Sequence, residues 1–460
     1  MPDLIQGPPL TGIVGIAAPL ALASLLQQGY LLVDSAVVGR YVGVTGLAAM
    51  GAAQPLYAIL SSLFTGVSGA FAVRFGHLTG AGRQHDDTSA LVALAVCTAA
   101  WSAVCAAAAV LAARPLLALM GVTGEVAAAA HTFVVTLCSG MGAIFALGAV
   151  CAVLTGRGDA RRATGLMIAA SVLNAAFAWL FVGGWRLGIA GAALAVLAAN
   201  ALTAVVGVAR LVREQRRRPS GAAAVTAATV RAEVRRALRI GTPMAVQYLL
   251  IGVGVLVLVW IITPFGEAAL AALTVVARLE LLTSVLFLTL SGALMVFTAQ
   301  NTGARENGRV RDGIRHAVWL GTALTALVSL LLLTQRGPIA ALFSDGPETR
   351  LITERYILVT APFFLCYTLT VVLHGWFNGI ARTVVPLVCT VVSLGAVRLP
   401  LSYTLGHAWG VDGVMWATVI GWAVGLGYTL LATRSAVTAP LPPPDREGEP
   451  MTATDAGGER

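Results

Sequence analysis

The chain has 460 residues, with 30 basic and 21 acidic side chains and a formal charge of +9. Hydrophobic residues make up 58% of it, charged residues 11%, and the mean hydropathy is +0.84, where soluble globular domains carry about 25% charged residues. That balance excludes a water-soluble globular fold and points to a chain whose solvent is lipid, so the positive charge calls for no nucleic-acid partner.

Twelve apolar blocks follow in order. Spans are predicted near 12–38, 46–76, 89–112, 126–155, 163–183, 188–210, 238–263, 268–299, 314–334, 352–380, 384–406 and 411–433. Each meets or exceeds the roughly 20 residues that a helix needs to cross the hydrocarbon core. Lipid cannot satisfy an open backbone, so these segments must be helices. The expectation is an all-α integral membrane protein of about twelve transmembrane helices. Residues 1–11 lack a basic segment and no cleavage pattern ends the first block, so the first span is expected to remain as an anchor.

All basic residues are arginine. Connections after even-numbered spans hold Arg83, then Arg157, Arg161 and Arg162, then Arg305, Arg309, Arg311 and Arg315. The stretch between spans six and seven adds Arg213, Arg216, Arg217, Arg218, Arg231, Arg235, Arg236 and Arg239. The opposite side holds Arg40, Arg114, Arg186, Arg336, Arg350 and Arg355. Positive charge marks the cytoplasmic side, so both termini are expected there. Within the spans, only Arg278 and Arg398 are read as arginines. Abundant Ala, Gly and Arg without lysine suggests a GC-rich bacterial genome, and a bacterial inner-membrane location is expected. The cysteines Cys97, Cys105, Cys138, Cys151, Cys366 and Cys389 fall in apolar spans without a CxxC pair, which argues for packing rather than metal binding.

The chain repeats itself. Residues 42–81 align without gaps on 265–304, an offset of 223, with about a third of positions identical. Gly43 pairs with Gly266, Leu47-Ala48-Ala49 with Leu270-Ala271-Ala272, Ser68-Gly69-Ala70 with Ser291-Gly292-Ala293, and Gly80-Ala81 with Gly303-Ala304. This divides the chain into a six-helix lobe (1–212), an Arg-rich cytoplasmic loop (213–237), a second six-helix lobe (238–434) and a cytoplasmic tail (435–460) expected to be disordered. Two homologous lobes that can open to either side in turn are a transporter architecture.

Polar groups within spans are functional candidates because they are costly there. Asp34, in the outer half of span one, shares a helix face with Gln27 and Tyr30. A carboxyl group in such surroundings can carry a proton across the cycle. Asn174 in span five, with Ser171 a turn earlier, is the neutral group that could bond Asp34 or a cation. In the second lobe, Tyr367, Thr370, His374 and Asn378 share one face of span ten. Trp376 points elsewhere. Histidine can change charge near neutrality, though a buried one is commonly just hydrogen-bonded. Arg278 and Glu280 in span eight are two apart and face different sides, each needing a partner or a wet cavity. Gln247 and Tyr248 in span seven are further lining candidates. Pro19 and Pro243 can bend their helices. No Walker loop, HExxH or GxSxG is present, so no enzyme activity, ATP use, cofactor or metal is expected.

These residues resemble the MATE (multidrug and toxic compound extrusion) transporters, nearest to the DinF-like branch. Residues 19–82 carry most of the likeness: Pro19, Asp34-Ser35, Val38-Gly39-Arg40, Leu47-Ala48-Ala49 and Gly76-x-x-x-Gly80-Ala81. Gly188-x-x-Gly191-Ala192-Ala193, Gly241-x-Pro243, Gln300-Asn301-x-Gly303-Ala304, Asn378-Gly379, Arg398-x-Pro400 and Gly410-x-x-Gly413 extend it to about residue 434.

The resemblance implies a two-lobe MATE/MOP-type antiporter, monomeric, expelling cationic or amphipathic drugs against protons or sodium. It maps the family's first-span aspartate onto Asp34 and its fifth-span asparagine onto Asn174. Where the family often has an aspartate, four residues past that asparagine, this chain has Ala178, and a sixth-span threonine is replaced by Val196. With so few oxygen ligands, proton coupling is expected rather than sodium coupling. A lipid-linked precursor flippase is the competing reading; its need for a cationic cavity fits poorly with arginines gathered in cytoplasmic loops.

Overall fold

The computed structural model describes residues 4–83, 87–217, 225–343 and 346–438. The first half builds α1 (Pro9–Tyr41), α2 (Val44–Gly80), α3 (Thr88–Leu119), α4 (Gly124–Ser139), α5 (Met141–Gly156), α6 (Ala160–Ala178) and α7 (Gly188–Arg216). The second half builds α8 (Ala227–Ile262), α9 (Glu267–Gly303), α10 (Asn307–Thr334), a short α11 (Arg336–Phe343), α12 (Pro347–Thr360), α13 (Phe364–Gly379), α14 (Val384–Thr390), α15 (Leu399–Trp409) and α16 (Val411–Thr438). Eleven of the described helical segments are long and apolar enough to cross a membrane, and α4 with α5, bent by 47°, makes a twelfth.

The predicted spans are therefore present, with local breaks that hydropathy does not reveal. Gly140 interrupts the fourth, where a side chain would run into Leu197. Pro362 sits in a 3-10 turn between α12 and α13. Wider π-type turns follow Asn174 at Trp179–Gly184 and precede α15 at Val391–Arg398. Such turns re-aim side chains and are frequent at functional sites. Both α1 and α8 run without interruption through Pro19 and Pro243.

Three expectations need correction. The stretch 213–237 is not one loop: α7 continues to Arg216 and α8 starts at Ala227, where Thr226 caps it reciprocally with Thr229. The end of the second lobe lies beyond 434, because α16 runs to Thr438; the rest of the expected tail, like Arg218, lies outside the described residues. Arg278 and Arg398 are not the sole arginines within the helical spans. Arg74 on α2 donates from Nε to Glu233 of α8 at 2.9 Å. It lies in the last two turns of its helix, near the cytoplasmic ends where Arg236 also reaches Glu233, so it pairs with a charge instead of facing lipid.

The two halves are copies in detail. Gly43 and Gly266, partners in the repeat, both turn the chain into the next helix with φ of 86° and 94°, a backbone region open mainly to glycine. On the arginine-rich side the lobes meet through small residues. A side chain on Gly80 would strike the Gln300 backbone, and one on Gly303 would strike the His77 backbone. His77 and Gln300 are themselves repeat partners. His77 Nε2 bonds the Gly379 carbonyl at 3.0 Å, and Gln300 Nε2 donates to the Gly156 carbonyl at 2.9 Å. Gly156 and Gly379 are again one repeat apart. The contact is thus made twice, once in each direction, and it holds the lobes together on the arginine-rich side.

α1 links the lobes. Leu4, Ile13 and Ile16 pack with Leu294, Phe297 and Trp376 of the second lobe, and Arg309 ties the preceding chain down by donating to the Gly7 carbonyl at 2.6 Å. Past Pro19 the helix belongs to the first lobe, with Val38 in that lobe's core.

Candidate transport sites in the two lobes

In the first lobe, α1 and α6 bring together two residues 140 positions apart. Asn174 Nδ2 donates to both Asp34 carboxylate oxygens at 2.9 Å. Asp34 is 5% exposed and Asn174 2%. The Asn174 carbonyl oxygen is buried without a partner. Tyr30 lies beside them with Gln27 and Tyr57 around it. Ser171 turns back onto its own helix, donating to the Met167 carbonyl. Ala178, one turn beyond Asn174, is buried and adds no oxygen.

The second lobe holds a cavity of about 500 Å³, within the range of small-molecule sites. Gln247, Tyr248, Glu280, Thr370, His374 and Asn378 all line it. Gln247 donates to Thr390 Oγ1 at 3.2 Å. His374, 8% exposed, sits 3.4 Å from Thr429 Oγ1, and Thr370 bonds its own helix at the Cys366 carbonyl. Tyr367, on the stripe of span ten, faces Trp422 across 5.7 Å between ring centroids. Trp376 is directed into the interlobe core, as its position on the helix implies.

Arg278 and Glu280 do not part company as their spacing suggests: both reach this cavity, because it is wide and the arginine stem is long. Sequence reasoning noted Arg398 without connecting it to Glu280. The π-type turn of α14–α15 carries Arg398 to the cavity wall, where it is a charge neighbour of Glu280 and lies against Tyr356. Glu280 Oε1, Arg398 Nε and Asn378 Oδ1 are each buried without a hydrogen-bond partner. Among the described residues no group of three or more His, Cys, Asp or Glu side chains forms a metal site.

The MatE family model matches this chain twice, over residues 19–180 and 243–404. The chain belongs to the MatE family. It is therefore a member of the multidrug efflux transporters, a multi-span membrane carrier and not an enzyme, and the doubled match is the internal repeat. It is 27% identical to "Probable multidrug resistance protein NorM" of Aromatoleum aromaticum, over 91% of this chain and 90% of that one. It is 24% identical to a protein of Shewanella oneidensis named "FAD transporter", over 94% of this chain and 96% of that one. Its fold matches a solved structure described as the outward-facing conformation of a multidrug resistance MATE family transporter, with a TM-score of 0.86 at 21% identity, covering 94% of this chain and 97% of the other.

This MATE chain also carries an ionic cluster at its cytoplasmic edge that its span pattern hides. Arg157 donates to Asp87 and lies 5.9 Å from the Phe75 ring. Arg162 bonds Glu214 at 2.8 Å. These pairs join α3, α5, α6 and α7 and brace the first lobe beside the gate.

Proposed function

We propose that the protein exports amphipathic organic molecules, organic cations among them, in exchange for protons taken up at Asp34. The observation that carries this reading is the buried Asp34–Asn174 pair, in which the Asn174 amide donates to both carboxylate oxygens. An asparagine suits both states of such a carboxyl group. Its amide donates to the ionised form. Its carbonyl, left without a partner here, can accept from the protonated form after the amide turns over. In either state the carboxyl group itself keeps a hydrogen bond to Asn174, the loss of which would cost about 1–3 kcal/mol.

Sodium would need several oxygen ligands, as hard cations do. Here the near surroundings offer one carboxylate, that of Asp34, besides the neutral oxygens of Asn174, Tyr30 and Gln27, with the apolar Ala178 at the next turn. That supports the proton as coupling ion.

With the cytoplasmic side closed, Asp34 exchanges protons with the outer mouth. Protonation neutralises the charge opposite a cationic cargo, and the cargo leaves. The empty carrier turns inward, releases the proton and reloads. Because α1 is rooted in the second lobe and bonded to α6 in the first, a change at Asp34 acts directly on the lobe interface.

The test is accumulation of a fluorescent dye cation in inverted vesicles, with proton and sodium gradients imposed separately. The proton gradient alone should drive uptake, and Asp34→Asn should abolish it while the protein still reaches the membrane. Uptake driven by sodium alone would overturn the coupling, and full uptake by the variant would overturn the role of Asp34.

A further inference from the structure

A smaller cavity, of about 260 Å³, lies at the cytoplasmic ends of α5, α6 and α7, lined by none of the residues of the second-lobe cavity. It falls short of the roughly 300–1,000 Å³ of sites for drug-sized molecules. Its inner lining is apolar: Leu154 and Leu166 are buried, and Leu211 packs beside them. Arg162, Arg210 and Glu214 complete the wall, and both arginines are exposed. The carboxylates of this edge are already engaged. Asp87 pairs with Arg157, Asp159 with Arg162 at 3.1 Å, and Glu214 with Arg162 at 2.8 Å and Arg157 at 3.8 Å. Arg210 stands four residues before Glu214, a spacing that suits an ion pair, yet the carboxylate is turned to Arg157 and Arg162 instead. Among the described residues Arg210 has no hydrogen bond or ion pair, and neither have its exposed neighbours Arg161 and Arg213. The rim thus offers free guanidinium groups and no free carboxylate. Val206 and Leu202, four and eight residues before Arg210, are exposed on the same helix face. They make an apolar track from the rim toward the middle of the membrane.

We propose that this cavity binds an anionic phospholipid of the cytoplasmic leaflet, its phosphate on Arg210 and Arg162 and an acyl chain along Val206 and Leu202. Basic pockets between helices on the cytoplasmic side suit such headgroups, and the guanidinium fork matches phosphate oxygens in shape and charge. The charge balance selects the anionic lipid over a zwitterionic one. The ammonium of a zwitterionic headgroup finds no carboxylate to receive it, because Glu214 is held by two arginines. The track selects a lipid over a free phosphate, which would leave Val206 and Leu202 uncovered. Arg210 is the residue on which recognition turns, since no contact within the described residues depends on it. The site is separate from Asp34 and stands whether or not the export reading does.

Native mass spectrometry of the purified, delipidated full-length protein tests it, with phosphatidylglycerol and phosphatidylethanolamine of identical acyl chains as probes. The first phosphatidylglycerol should bind roughly tenfold more tightly than the first phosphatidylethanolamine. Arg210→Gln should weaken it about fivefold, the worth of one arginine near a membrane surface. Arg210→Lys should weaken it less, and Arg210→Glu should abolish the preference between the two lipids. Arg315→Gln removes an equal charge from the cytoplasmic edge of the second lobe, where Arg315 lies 3.5 Å from Asp312, and should leave the first binding step unchanged. Glycerophosphoglycerol, the same headgroup without acyl chains, should not displace the lipid. Unchanged thermal unfolding of the variants separates lost recognition from lost folding. Equal binding of the two lipids, or equal losses in Arg210→Gln and Arg315→Gln, would overturn the proposal in favour of a diffuse basic face. Displacement by the chain-free headgroup would overturn the lipid as the occupant.

Discussion

The two lobes descend from one design and have kept it unequally. Where they touch each other, the copies match position for position. Gly80 and Gly303 each admit the opposite helix, and His77 and Gln300 each reach the carbonyl of Gly379 or Gly156. Where they face the transport path, the copies differ. At the repeat offset Asp34 corresponds to the apolar Val257–Leu258 stretch of α8, Glu280 corresponds to Tyr57, and Asn174 corresponds to Val397, next to Arg398. The first lobe buries the Asp34 carboxyl group against the neutral Asn174. The second keeps an acid, two arginines and a ring-lined cavity. Symmetry is retained where the lobes make two equal contacts, and it is given up at the buried polar sites within them.

Six substitutions break or sharpen that division. The largest effect belongs to Asp34→Asn, which should leave no gradient-driven transport in the vesicle assay. Gly80→Leu comes next. Its side chain has no room against the Gln300 backbone, so the cytoplasmic gate cannot close. A cysteine placed in the gate should become reactive to a cytoplasmic thiol reagent, and transport should fall to a few per cent of wild type. Its repeat partner Gly303→Leu should do the same, whereas an asymmetric outcome would contradict the two-fold closure.

Asn174→Leu should slow export roughly tenfold, since it leaves the Asp34 carboxylate without its donor, a loss of about 1–3 kcal/mol; initial rates of dye uptake measure it. The smallest effect is expected for Gln300→Ala, which removes one neutral hydrogen bond worth about 0.5–1.5 kcal/mol. Labelling of the gate cysteine should rise several-fold while transport persists. His77→Ala should match it, because the two side chains do the same work.

Much of this was legible before the structure, for reasons that can be traced to particular residues. Span number and type follow from hydropathy because lipid leaves the backbone no alternative. Asp34 and Asn174 stand out because polar groups in apolar helices are costly, and their meeting across 140 positions is the structure's contribution. The stripe of Tyr367, Thr370, His374 and Asn378 is a matter of helical spacing, and it does face one cavity.

What escaped depends on partners from distant segments. Arg74 goes unremarked within the second predicted span, and its partner Glu233 comes from a segment read as loop. Glu280 and Arg398 are 118 positions apart, and a π-type turn, which periodicity does not reveal, sets the aim of the second. The reach of α7 and α8 into the stretch 213–237 was hidden because charge was read as loop, although arginines favour helices well. The equivalent bonds made by His77 and Gln300 left a trace, since both lie within the aligned repeat at equivalent positions. Their different chemistry concealed their common role.

The most direct test of the exchange at Asp34 is a proton count. Binding of the dye cation to purified protein is followed by calorimetry in two buffers of different ionisation enthalpy, at a pH where the free carrier is partly protonated. The account predicts that cargo binding releases a proton from the wild-type protein and that the release vanishes in Asp34→Asn. Binding with no proton released, or the same release from both proteins, would contradict it.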